Sequence, residues 1–288
     1  MKSLYIIALL ASGFLFLKCS ESSKETSQTL EPPQLTIAWE TDTLLQIPES
    51  VIYDKNNNVF YVSCIGPKTT AAHDGDGYIA KVGPNGEIIE NKWLTGLDEP
   101  TGLAIVGDTL YVANIDQLVS IQISTAEIIS KQDIATTTFL NDVASNSSGD
   151  VLIADTDLNA VFIKSGEEIS ILYQSEELGG LNGIYCEEKR TLLTGSGSGK
   201  LYALENETLT VLADSMKGAD GIEKYKDGYF ISSWKGQLYY LDTNGKRSKL
   251  LDTEAQKVNA ADIDVIEEQN LLIVPTFFAN KLIAYKID

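Results

Sequence analysis

Six times along the chain, an apolar-alternating run is followed by a polar turn and a second apolar run. The copies are "ESVIYDKNNNVFYVS" from Glu49, "TGLAIVGDTLYVAN" from Thr101, "NDVASNSSGDVLIADT" from Asn141, "NGIYCEEKRTLLTGS" from Asn182, "DGIEKYKDGYFISSW" from Asp220 and "ADIDVIEEQNLLIVPT" from Ala261. Period-two alternation bounded by Asn, Asp and Gly reads as strand, turn, strand. Two further strand-like runs follow each pair, as in "KLYALENETLTVLAD" and "QLYYLDTNGKRSKLLD". No stretch sustains a helical period. The six lead residues are spaced 52, 40, 41, 38 and 41 residues apart. A repeat near ~40 built from four short strands is the mark of a propeller blade, so the pattern predicts an all-β, six-bladed β-propeller.

The last repeat reaches Asp288 with only three strands, "ADIDVI", "NLLIVPT" and "KLIAYKI". The run "QLTIAWETDTLL", residues 34–45, has no partner in the first repeat and is placed to supply the missing outer strand. Closing the ring this way removes open sheet edges and makes residues 34–288 one domain. The long first interval carries an insertion around "GPKTTAAHDGDGYIAKV", expected as a loop over one face of the ring. Its "DGDG" lacks the later ligands of a calcium loop and reads as a Gly-rich turn. "GSGSGK", residues 195–200, leads from one strand into another and reads as a hairpin connection, not a phosphate loop.

In a propeller the innermost strand of every blade lines the central channel, so the leads Glu49, Thr101, Asn141, Asn182, Asp220 and Ala261 should converge. Glu49, Asn141, Asn182 and Asp220 carry the oxygen donors that hard cations prefer. Two carboxylates and two amides would neutralise a divalent ion and leave positions for water or substrate. Asn and Asp before a strand also form ordinary turns. Four such residues at one register of four repeats favour the metal. Glycines after Asn182 and Asp220 are expected to allow close approach of substrate or backbone. The only histidine, His73, lies in the insertion, so a Ser-His-Asp triad or a multi-histidine zinc site lacks its usual parts.

Composition adds a compartment. Lys2, an apolar run from Leu4 to Leu17, Lys18 and Cys19 form an N-terminal segment too short to span a membrane, and it resembles a bacterial lipoprotein signal. Residues 1–18 are therefore expected to be removed and Cys19 lipidated. Residues 19–33, rich in Ser, Glu and Thr, should form a flexible tether. This implies export across the inner membrane of a bacterium and a lipid-anchored, monomeric protein in the cell envelope, periplasmic or surface-exposed. A formal charge of −19 repels phosphate backbones and anionic headgroups, which argues against nucleic acid and against membrane contact beyond the lipid. The remaining cysteines, Cys64 and Cys186, fall in blades that do not adjoin and are expected as buried free thiols.

From about Glu49 to the C-terminus, the chain resembles the gluconolactonase family that includes regucalcin, the senescence marker protein, and the LRE-like propellers. It is more distantly similar to the paraoxonases and diisopropylfluorophosphatase. The resemblance implies one divalent cation, most often Ca2+, on Glu49, Asn182 of "NG" and Asp220 of "DG", with the family's "ND" matching Asn141 and Asp142. It implies a metal-dependent hydrolase acting on a lactone or related ester, with Asp220 or Asp142 as proton acceptor. Asn141, Thr101 and Phe139 would contact substrate. Phe139 stands where the family's sugar-lactone hydrolases carry an Arg, and an apolar ring cannot grip a carboxylate or sugar hydroxyl as a guanidinium does. Together with the insertion near His73, it would shape the pocket. The alternative is a non-catalytic surface propeller binding a glycan or a protein, and a third reading makes the cation purely structural.

Overall fold

The computed structural model describes residues 31–69, 72–137 and 139–288, together with Met1. Apart from Met1, the segment expected to direct export lies outside the described residues, as do Cys19 and the expected tether up to residue 30. Within the unit Pro32–Asp288, the strands make six four-stranded antiparallel sheets. Their inner strands are Pro48–Asp54, Pro100–Val106, Leu140–Ser145, Leu181–Cys186, Ala219–Tyr225 and Asp264–Ile266. Each contacts the next, and the last contacts the first, so the blades close into a ring.

The burial pattern follows from this packing. Middle strands such as Val59–Cys64, Val151–Asp155 and Leu271–Pro275 are buried along their whole length, because neighbouring blades cover both faces. Outer strands such as Glu127–Asp133 and Glu168–Gln174 are mostly exposed and carry charge. Among the described residues seven hydrophobic clusters result, each drawn from two adjacent blades. Phe60, Val62 and Tyr78 of blade one meet Ile273 and Leu282 of blade six, and Leu193 and Tyr202 of blade four meet Leu152 and Val161 of blade three.

The N-terminal run closes the last blade. Leu35–Glu40 pairs antiparallel with Leu282–Ile287, from Leu35 opposite Ile287 to Glu40 opposite Ile283. A register shift between Ile37 and Trp39 accompanies the packing of Trp39 onto the cluster between blades six and one, its ring 6.0 Å from that of Phe60.

Tight turns join each inner strand to the next. Asn58, Gly107, Gly149 and Asn270 supply the left-handed backbone there in four blades, while blade five uses Lys226 at φ 54°. The insertion forms a loop between Val59–Cys64 and Gly77–Val82. Asp98 ties it down, accepting the Gly75 N–H at 3.1 Å and standing 3.1 Å from His73 Nδ1. Cys64 and Cys186 are free thiols, each pushed up to about 12 by burial. Cys64 is buried as expected, whereas Cys186 is only half-buried and lines a cavity bordered by Asp142, Glu223 and Asp262.

Candidate functional site

The lead residues occupy a repeated irregularity in the ladders. In blades one to five, the pairing of inner and middle strand slips by one residue at the lead, between Pro48 and Ser50, Pro100 and Leu103, Leu140 and Val143, Leu181 and Ile184, and Ala219 and Ile222. In blade six the inner strand starts only at Asp264, and the Ala261 N–H reaches the Pro275 carbonyl at 3.1 Å. A bulge frees one residue from strict alternation and re-aims its side chain, and bulges recur beside active sites for that reason. Here one recurs at the lead of each of the first five blades.

Those leads are buried: Glu49 is 6% exposed, Asn141 8%, Asn182 9% and Asp220 1%. Glu49 Oε2, Asn182 Oδ1 and Asp220 Oδ1 have no hydrogen-bond partner. A buried oxygen without a donor costs roughly 1–3 kcal/mol, more for a charged group. Burial first, and then the charges of Asp220, Asp262 and Asp142, raises the Glu49 carboxyl well above its ordinary range. Asp220 is raised in the same way by burial and then Asp262. Carboxylates of blades one, three, five and six therefore act on one another across the axis.

The other leads have different surroundings. Thr101 Oγ1 donates to the carbonyls of Ala113 at 3.4 Å and Leu140 at 3.2 Å, which spends its hydroxyl on the seam between blades two and three. Asp142 accepts the Val143 N–H at 2.6 Å and, across to blade four, the Ile184 N–H at 2.7 Å, so both its oxygens are engaged. Phe139 is half-buried just ahead of Leu140, its carbonyl accepting the Thr156 N–H at 3.1 Å. Ala261 is fully buried and packs with Ile47, Ile65 and Phe277.

The glycines after the leads serve neighbouring blades. A Cβ on Gly102 would fall 2.4 Å from Asp142 Cα, one on Gly183 2.3 Å from the Asp220 carbonyl, and one on Gly221 2.3 Å from Asp262 Oδ1. Blade-to-blade approach at the axis demands these positions, and the space is filled by protein.

Two groups were not singled out from the sequence. Asp262, Glu223 and Asp264 stand one or three residues past a lead and continue the acidic lining down the channel. Burial lifts Asp262 to about 7 and Asp264 to about 6, and Glu223 well above its usual range. Asp142, Glu223 and Asp262 border a cavity of about 270 Å3 there. Stepping three residues on from "DG" and "AD" would have found Glu223 and Asp264. The second group is aromatic: Trp234, Phe277 and Phe278, in the turns after the middle strands of blades five and six, pack edge to face with centroids 4.8–5.9 Å apart. Their signal was "SSWKG" and "PTFFAN" at equivalent positions.

The donor set suits a hard divalent cation: two carboxylates and two amides, with orphaned oxygens on three of the four. Among the described residues, no three His, Cys, Asp or Glu side chains form a metal cluster by themselves, so the amides are integral to any such site.

No protein-family profile and no curated protein matches the sequence. Solved structures do resemble the fold. A streptogramin B lyase matches with a TM-score of 0.64 at 9% identity, covering 89% of this chain and 98% of its own. The Staphylococcus aureus virginiamycin B lyase, as a catalytically inactive histidine-to-alanine variant with quinupristin, matches with a TM-score of 0.61 at 12% identity, covering 89% and 99%. A chain of a nidogen/laminin complex matches with a TM-score of 0.59 at 15% identity, covering 71% and 80%. Likeness at these identities speaks for architecture alone. On strand order, ring closure and these likenesses together, the chain is a six-bladed β-propeller closed by its N-terminal strand.

Proposed function

We propose that the protein is a divalent-metal-dependent hydrolase of lactones or related esters, with its site at the upper mouth of the channel. The observation that supports this reading is the set of three unpartnered buried oxygens, on Glu49, Asn182 and Asp220, each at the bulge that opens the inner strand of its blade. Glu49, Asn141, Asn182 and Asp220 would hold the ion, most simply Ca2+. When bound, a divalent cation supplies positive charge that polarises a carbonyl and lowers the pKa of water. Asp142, with both oxygens on backbone N–H groups, holds the ends of two blades together and positions Asn141 beside it. Asp220 keeps an uncommitted oxygen that could accept a proton, and a cation beside it would offset the rise that burial and Asp262 give its carboxyl. The surrounding burial excludes bulk water and strengthens each charge at the site.

Similar propellers in the comparisons include enzymes, the B-type lyases. The chain's only histidine, His73, lies half-exposed on the insertion between Asp98 and Asp116, so the chemistry we propose draws on carboxylates. The test is hydrolysis by the full chain of simple lactones and aryl esters, with and without chelator. Turnover that chelation and Asp220→Asn both leave untouched would reject the proposal.

The second reading, a binding propeller, draws on Phe139 in place of a substrate-gripping Arg and on the nidogen/laminin likeness. It predicts ligand affinity that survives Asp220→Asn. On either reading we take the chain to be exported and anchored through Cys19.

A further inference from the structure

Large apolar side chains are exposed at several places, and most are solitary. Ile89, Ile129, Ile171 with Leu172, and Val211 are spread over the outer strands of four blades, where scattered exposed hydrophobes are ordinary. Trp234 and Phe278 differ. They are 39% and 55% exposed, touch one another edge to face, and both rest on Phe277, which is buried at 7%.

The chain ties these rings to the proposed site. The Trp234 N–H donates to the Gly218 carbonyl at 2.8 Å, two residues before Asp220. Phe277 packs on Ile47, two residues before Glu49, and on Ala261, the one lead without a polar side chain. Ile47 and Phe277 both hold left-handed backbone, at φ 51° and 49°, which a β-branched or bulky residue adopts only where its surroundings compel it. A cleft of about 600 Å3 runs from Phe278 past Ile47 to Gly66 and Pro67 at the start of the insertion. The channel mouth thus has a polar side on blades one, three, four and five, and an aromatic corner at blades five and six.

We propose that Trp234, Phe277 and Phe278 form a substrate-selecting wall that receives an aryl group carried beside the reacting carbonyl. This rests on the hydrolase reading above. The polar side chains next to the rings are partly turned to backbone, with Asn280 Oδ1 accepting the Ile47 N–H at 3.0 Å and Asn259 Nδ2 donating to the Trp234 carbonyl at 2.6 Å, so the rings themselves offer apolar contact. The chain's charge of −19 disfavours an anionic substrate and favours a neutral ester or lactone.

Two lactones of the same ring size test this: γ-valerolactone and γ-phenyl-γ-butyrolactone, which differ only in methyl against phenyl. With the calcium-loaded full chain, kcat/KM should favour the phenyl compound by about tenfold or more. Phe278→Ala and Trp234→Ala should erase most of that preference, raising KM for the phenyl compound and bringing the kcat/KM ratio of the two lactones close to one. Binding of the matching γ-phenyl lactam, followed by calorimetry, reads the wall without any chemistry and should weaken in both variants. Turnover of both lactones without preference, unaltered by Phe278→Ala, would overturn the wall and spare the hydrolase. Lactam binding that depends on Phe278, with neither lactone hydrolysed, would keep the wall and sink the hydrolase. If nothing binds and nothing turns over, both fall.

Discussion

Ser50 Oγ donates to Asp262 Oδ2 at 2.6 Å, across the seam where blade six closes on blade one. The backbone repeats the link, because the Asp262 N–H reaches the Glu49 carbonyl at 3.0 Å. A ring needs one joint between blades that are far apart in sequence, and here that joint lies beside the proposed ligand Glu49. The Ser50 hydroxyl also lowers the Asp262 pKa against the burial that raises it. Ser50→Ala should cost about 1.5–3 kcal/mol, the range for a buried hydrogen bond to an ionisable group. Urea unfolding of the ion-free protein at pH 7.5 measures it, and a loss too small to resolve would mean that the seam is held by its backbone alone.

The axial glycines make a steric prediction. Alanine at Gly183 or Gly221 would put a methyl 2.3 Å from the next blade, against the Asp220 carbonyl or Asp262 Oδ1. Relief requires two blades to move apart at the narrowest part of the ring. Each substitution should cost about 3 kcal/mol. Gly107→Ala is the control: nothing lies within 4 Å of its added Cβ, and only its φ of 61° opposes the change, which should cost about 1 kcal/mol. Melting temperatures of the three variants decide the point, and equal losses would contradict the packing described.

The architecture was legible because each blade repeats the same strand, turn and strand, and because residues 34–45 had no partner of their own until Leu282–Ile287 provided one. The shared place of the leads was legible in part for the same reason: a common register in the repeats falls on the same ladder irregularity in blades one to five. Which oxygens remain unpartnered was not. Thr101 and Asn182 share that register, yet the Thr101 hydroxyl is spent on Leu140 while Asn182 Oδ1 has no donor. That difference depends on what the neighbouring blade presents, and periodicity carries no information about it. The aromatic corner was missed because Trp234, Phe277 and Phe278 sit in turns, where alternation no longer predicts facing.

The acidic channel sets an unusual pH dependence. Folded Asp262 and Asp264 titrate at about 7 and about 6, whereas an unfolded aspartate titrates at about 3.9. Between those values the folded chain holds protons that the unfolded chain has released, so stability falls as pH rises. Glu49, Asp142, Asp220 and Glu223 shift in the same direction and add to the trend. Ion-free protein should lose on the order of 2–3 kcal/mol between pH 5.5 and pH 7.5. Chemical denaturation at the two pH values checks it. A flat or rising profile would show that these carboxylates are solvated in the folded state.

Asp220→Asn separates an ion ligand from an ordinary turn residue by the sign of two changes. Without an ion, Asp220 is a buried carboxyl with an unpartnered oxygen, and its charge is opposed by Asp262. An amide of the same shape removes that charge, so the ion-free variant at pH 7.5 should melt at or above the wild type. Calcium then reverses the order. An ion bound only by the folded chain stabilises it by about 2.7 kcal/mol at a hundred times Kd, and the variant should forgo most of that gain. Glu49→Gln should behave alike, since its Oε2 is equally unpartnered. A turn-forming aspartate would instead lose stability on substitution whether or not calcium is present. Melting curves of the wild type and both variants, each with chelator and with saturating calcium, discriminate the two. A variant that is weakened in chelator yet still stabilised by calcium would remove Asp220 from the cation site.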